Sequence, residues 1–172
     1  MAVNYSDLTP GTAVVWKNTG GDKAINLKAL ATAGIREGAK SATLVDGTKG
    51  FPELLEIETE TKLQSAPTAG LTCSIYLGFS RSSTAGTGNT GGLTGADAAV
   101  GNADQLTQLT FAGAIVLSNS LGTGVQRQRL WVVPKAEYVI PVFQNESGQT
   151  TTNVDGETLI SIRPWYRRTP VA

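Results

Sequence analysis

The chain has 172 residues, in which 14 Lys and Arg balance 14 Asp and Glu, and it contains no histidine. Balanced charge supplies no global field toward a polyanion, so nucleic acid is not an expected partner. Without imidazole the commonest general base and neutral metal ligand are missing; no catalytic residue, cofactor or metal site is expected.

The length suits one domain over 1–172, large enough to bury a core without disulfides or metals. The single cysteine, Cys73, falls on the apolar side of an expected strand, where a buried, inert thiol fits synthesis in a reducing cytoplasm. The first residues lack the basic and apolar regions of a secretory signal, and no apolar run approaches the roughly 18 residues of a span. Neither export nor a membrane is therefore expected. The Asn-x-Ser triplets at Asn4 and Asn145 are then chance matches.

In chain order, strands are expected near 12–17, 23–30, 39–45, 54–63, 71–79, 109–117, 129–133, 138–144 and 158–163, separated by glycine, asparagine, aspartate or proline. The fourth carries the clearest signal: Leu55, Ile57, Thr59, Thr61 and Leu63 alternate with Glu56, Glu58, Glu60 and Lys62, one side for a core and the other for water. The fifth repeats that logic with Leu71, Cys73, Ile75, Leu77 and Phe79. Asp46-Gly47, Ser147-Gly148 and Asp155-Gly156 supply turn chemistry. Pro134 and Pro141 place their strands at an edge or beside a bulge, since proline has no N–H for a ladder. The expected fold is all-β, a jelly-roll-like antiparallel β-sandwich.

Residues 80–105 differ, being rich in Gly, Ser, Thr, Ala and Asn with few bulky apolar side chains. This is a long loop or arm, either a flexible surface loop or one ordered in an assembly, with a short helix near 96–106 as a further option. Inside it, Gly86-Thr87-Gly88-Asn89-Thr90-Gly91 has the G-x-G-x-x-G spacing. No amphipathic helix follows, so the dinucleotide reading fails.

Glu56, Glu58 and Glu60 stand roughly 6 to 7 Å apart on one strand face, within the range of glycosidase carboxylates. Three alike carboxylates on one solvated face have nothing to push their pKa values apart, so a soluble outer face or one pairing with arginines is expected instead. Asp97 and Asp104 lack the ordered acidic spacing of a calcium loop. Arg127, Arg129, Arg163, Arg167 and Arg168 gather near Trp131, Trp165 and Tyr166, the residue types enriched at interface hot spots. Two prolines bracket the aromatic and basic end of the chain, so the tail 164–172 is expected to leave the sandwich and dock on a partner. Removing 165–172 should then spare the fold.

Three runs, Val125-Gln-Arg-Gln-Arg-Leu-Trp-Val-Val-Pro, Tyr138-Val-Ile-Pro-Val-Phe-Gln-Asn-Glu-Ser-Gly and Thr158-Leu-Ile-Ser-Ile-Arg-Pro, resemble small β-sandwich virion proteins of tailed bacteriophages. There a strand with a Gln-Arg pair precedes one ending in Asn-x-Ser-Gly, and a last strand runs into a short tail; the likeness covers about 109–164. The resemblance implies a non-enzymatic head decoration or cement subunit, or a minor head or tail component, made in the host cytoplasm and located in the virion. Its implied partners are the major capsid protein or neighbouring virion subunits, with homo-oligomers, trimers among them, expected by analogy. The contact residues to bet on are Arg163, Trp165, Tyr166, Arg167 and Arg168 in the tail and Gly86, Gly88 and Gly91 in the arm. A tail or fibre component that binds carbohydrate through exposed aromatics is the alternative.

Overall fold

The computed structural model describes residues 7–168. Eleven strands form among them: β1 (Leu8–Pro10), β2 (Val14–Lys17), β3 (Lys23–Ala24), β4 (Ile35–Glu37), β5 (Leu54–Thr61), β6 (Thr72–Ser80), β7 (Ala98–Ala99), β8 (Thr110–Val116), β9 (Gln126–Val132), β10 (Tyr138–Glu146) and β11 (Leu159–Arg167). One sheet has the order β3-β2-β11-β5-β9, with β1 also on β11; the other runs β7-β4-β10-β6-β8. Setting aside the short β1, β3 and β7, the remaining eight, counted along the chain, fall as first-eighth-third-sixth and second-seventh-fourth-fifth. That order is the wrapping of a jelly roll. Among the described residues only the two-residue β2–β3 pairing is parallel.

Period-two alternation builds the core. From β5 the inward positions Leu55, Ile57, Thr59 and Thr61 are fully buried, and from β6 so are Cys73, Ile75 and Leu77. They meet Trp16, Phe143, Ile160 and Ile162 between the sheets. Each such apolar side chain contributes roughly 1.5–3 kcal/mol on burial.

Three departures from the expected strands have local causes. The stretch 39–45 is not a strand: Ala39 N bonds Ala24 O, Ser41 N bonds Val139 O and Leu44 N bonds Glu137 O, so the chain changes partners as it passes the sheets instead of following one. The strand that precedes it, β4, is three residues long and too short to show a period. Beyond β3, Ile25 and Leu27 still reach the core, but residues after them form a loop tied to Asn145 and Thr151.

Pro141 sits in β10, inside the second sheet and not at its edge. Its carbonyl accepts from Gly38 N at 2.8 Å, and β4 ends at Glu37. The proline nitrogen therefore faces Gly38 at the point where the β4 pairing stops, so the N–H it lacks falls at the end of that ladder.

The tail also differs from expectation. β11 continues to Arg167, with Pro10, Thr9 and Leu8 opposite Trp165, Tyr166 and Arg167. Tyr166 is buried and donates its hydroxyl to Leu44 O at 2.9 Å. Residues 164–167 thus belong to the sandwich, and removing 165–172 would take away part of a central strand; 169–172 lie outside the described residues.

The Gly/Ser/Thr-rich segment forms a third layer on the outer face of the second sheet. Leu93 and Leu106, flanked by Val100 and Leu109, pack on Ile35, Ile140, Val142 and Tyr76. Gly78 makes room, since a Cβ there would lie 2.5 Å from Leu93 Cδ1. The short helix appears as a 3-10 turn over Ala103–Gln108, capped by Asn102, whose side chain accepts from Asp104 N.

Burial fixes the behaviour of Cys73, pushing its thiol up from 9.0 to about 12. Because the folded value is the higher, the thiol's contribution to stability is intact below about pH 9 and is lost as pH rises from there toward 12. A disulfide reagent at pH 8 should label the native chain at least about a hundredfold more slowly than the urea-unfolded chain, and Cys73→Ala should flatten the alkaline fall in urea midpoint; fast native labelling would contradict this.

Candidate functional site

The outer face of the first sheet is organised by β5. Its outward residues meet β9 in register, Glu56 opposite Trp131, Glu58 opposite Arg129 and Glu60 opposite Arg127, while β11 sets Arg163 opposite Glu56. Arg127 Nε donates to Glu60 Oε1 at 2.8 Å. Arg129 Nε lies 3.0 Å from Glu56 Oε1, and Trp165 Nε1 donates to Glu56 Oε2 at 3.0 Å. Arg163 Nη1 stands 3.8 Å from the same oxygen.

Glu56 is therefore not the solvated residue that alternation implies. It is 7% exposed, closed over by two arginines and two indoles. A carboxylate that deep needs cationic and N–H partners, and here it has three. The Trp131 and Trp165 rings pack at 5.8 Å and 56°, with Trp131 left 47% exposed and Val133 beyond it 65% exposed. The result is a fixed aromatic platform framed by arginines whose charges are already anchored within the chain.

Arg163, Trp165 and Arg167 belong to this face, with Arg167 Nε 3.4 Å from Glu53. Arg168 follows them, exposed, its backbone N bonded to Asp7 O. Tyr166 points the other way, into the protein. Gly86, Gly88 and Gly91 lie in the third layer against the other sheet; Gly86 and Gly88 are exposed and Gly91 is buried. The tail and arm candidates are thus on opposite sides of the sandwich. Of the three tryptophans, Trp16 is wholly core, donating to Ala39 O at 2.6 Å.

The loop 80–87, which leads into the glycine motif and shares Thr87 with it, binds a cation of its own chain. Lys40 Nζ, on a side chain buried within the fold, lies 3.0 Å from Ser80 Oγ, 2.9 Å from Ser82 O, 2.6 Å from Thr84 O and 3.1 Å from Thr87 O. A phosphate loop presents N–H groups inward, whereas this one presents carbonyls, the opposite polarity. Desolvation lowers the Lys40 pKa. Three residues earlier, Glu37 accepts from Thr94 N, Thr94 Oγ1 and Gly95 N at 3.1, 2.8 and 3.2 Å. Gly95, at φ +69°, has the Ala85 carbonyl where a Cβ would stand. Sequence reasoning missed both anchors, because a lone Lys40 and a lone Glu37 carry no spacing signal.

Asp97 is occupied by Asn26 N at 2.9 Å and Arg36 Nε at 2.6 Å. Among the described residues no group of three His, Cys, Asp or Glu is placed to hold a metal ion, and no helix is long and apolar enough to cross a membrane. Compared with known proteins, the chain matches no family model and no curated sequence.

Replacing Lys40 with Met should remove the charged donor shared by three carbonyls and a hydroxyl, leaving them only the neutral Ser80 O–H and the Ser82 and Thr87 N–H groups, at a cost of about 2 kcal/mol locally. Trypsin should then cut after Arg81 about tenfold faster or more, with little change in the near-UV signal of the tryptophan face; an unchanged cutting rate would show that the ammonium does not hold this loop.

Proposed function

We propose that this chain is a non-enzymatic structural subunit of a bacteriophage virion, a decoration or cement protein that binds the head lattice and stabilises it. The observation that carries the reading is the outer face of the first sheet, where half-exposed Trp131, packed on Trp165, stands among arginines already oriented by Glu56, Glu58 and Glu60. Tryptophan and arginine dominate interface hot spots because they bury much area at little ordering cost when held in place beforehand. The carboxylates are committed to arginines, so the face is built to hold and not to exchange protons. The sequence resemblance over 109–164 supplies the virion context, and the partner is the major capsid protein or a neighbouring virion subunit.

A ligand that binds only the assembled lattice stabilises it by RT ln(1 + [L]/Kd) per site. Stabilisation then needs no covalent step and no cofactor. A carbohydrate-binding role in a tail or fibre is the second reading, favoured by one feature, an open indole beside a hydrogen-bonded carboxylate.

Quantitative mass spectrometry of purified particles is the deciding measurement. A fixed simple ratio to the major capsid protein, running to hundreds of copies, is expected; a few dozen or fewer would move the chain to the tail and raise the glycan reading, and absence would sink both. Trp131→Ala should weaken capsid binding by about 2 kcal/mol, roughly thirtyfold in Kd. The isolated chain should lose less than about 1 kcal/mol of stability, since much of that ring is already in water. Glycan-array binding lost in the same variant would favour the second reading.

A further inference from the structure

A groove of about 510 Å3 opens where residues 80–90, the start of β8 and the β9–β10 connection meet. Arg81 and Lys135 line it, both exposed and neither in an ion pair among the described residues. No Asp or Glu contributes to its wall. The hydroxyls there are biased toward donation: Thr90 Oγ1 already accepts from Phe79 N at 2.9 Å and Ser82 Oγ from Thr84 N at 3.2 Å, leaving each O–H for a ligand. Behind Ser80 sits the Lys40 ammonium, surrounded by neutral oxygens only. Three cations around a groove without a carboxylate favour an anion.

The choice of anion follows from the rest of the surface. The one aromatic residue of the lining, Phe79, is 3% exposed, so no ring face is offered for a sugar to stack on. Val133, two residues ahead of Lys135, continues the exposed apolar edge from Trp131. Charge and apolar surface adjoin along one stretch of chain, as an acidic peptide with a neighbouring apolar residue requires.

We propose that this groove receives an Asp or Glu side chain of a neighbouring polypeptide, its carboxylate held between Arg81 and Lys135 and completed by the Ser82 and Thr90 hydroxyls. The inference rests on the reading of the chain as a subunit that binds other subunits, and gives that reading a specific anionic contact. It also separates the two cation sets: the arginines of the first sheet are neutralised within the chain, whereas Arg81 and Lys135 await a partner.

The test uses the isolated, isotope-labelled full chain and a capped peptide carrying Asp and Glu around a central Leu. Saturable shifts of the backbone amides of Ser82, Gly88, Thr90 and Thr110 are expected. Affinity should fall at least about tenfold in the Arg81→Ala/Lys135→Ala double variant, the loss of two charge-assisted contacts. It should fall again as salt rises from about 50 to 300 mM. Lys28→Ala, in an exposed ion pair with Asp155 elsewhere on the surface, should bind as the parent does; circular dichroism checks that each variant is folded.

Equal binding of the Asn/Gln version of the peptide, or shifts confined to other residues, would overturn the proposal. So would saturation of the groove by inorganic phosphate or a hexuronate oligosaccharide while the acidic peptide stays silent. Absence from particles with intact peptide binding would remove the virion reading and leave the groove's peptide chemistry standing. Abundance in particles, with a silent peptide and a double variant that still binds capsids, would remove the groove alone.

Discussion

The antiparallel register between β11 and β5 is the constraint on which the first sheet depends. It places Ile160 beside Thr59 and Ile162 beside Ile57 on the inner face, and Arg163 beside Glu56 on the outer one. A slip of one residue would turn Ile160 and Ile162 to solvent and drive Arg163 toward a dry core. Core burial therefore selects the register, and the register assembles the outer cluster as a by-product. β1 then closes over the end of β11, fixing Trp165 between Pro10 and Leu54 and setting its indole N–H on Glu56.

The second sheet solves a different problem, because its outer face is apolar at Ile35, Ile140 and Val142 and cannot face water cheaply. The chain covers it with a segment poor in large apolar side chains, so hydrophobic contact alone gives that layer little hold. Two buried charges supply the rest. Lys40 gathers the carbonyls of Ser82, Thr84 and Thr87 and Glu37 gathers the N–H groups of Thr94 and Gly95, each acting as an ion would in a loop that binds one. Glycine is required here where the backbone turns left-handed against another carbonyl, at Gly95.

The strands divide by length in how far the sequence reveals them. β5, β6 and β11 show their period over seven residues or more, and their inward residues are those that alternation selects, whereas β10 is an unbroken apolar run from Val139 to Phe143, covered on both faces. β1, β4 and β7, of two or three residues, are held by their neighbours and leave no trace in the sequence. Composition misled in two places. Proline suggested that the chain left the ladder after Arg163, yet Pro164 faces Leu55 within β11. Low complexity suggested a flexible loop or an arm that a partner would order, yet Leu93 and Leu106 suffice to seat it once Lys40 and Glu37 anchor 82–87 and 94–95. The motifs behind the family resemblance are structural clamps: Gln126 bonds both backbone groups of Ser118, and Asn145 donates to Leu30 O and Gln149 O while accepting from Ser147.

The candidate contacts fall on two surfaces with different physics. The Trp131 face has its charges satisfied, so what it offers a partner is area and shape, and its contribution to affinity is insensitive to salt. The groove at Arg81 and Lys135 has its charges open, so what it offers is steering and orientation, and its contribution is screened. The end of β9 and its connection to β10 join them, carrying Trp131, Val133 and Lys135 in succession. A partner engaging both would be guided by the cations and retained by the indole. Both surfaces are fixed before contact, one by Glu56 and the other by the loop that Lys40 clasps, so less ordering entropy remains to be lost on binding.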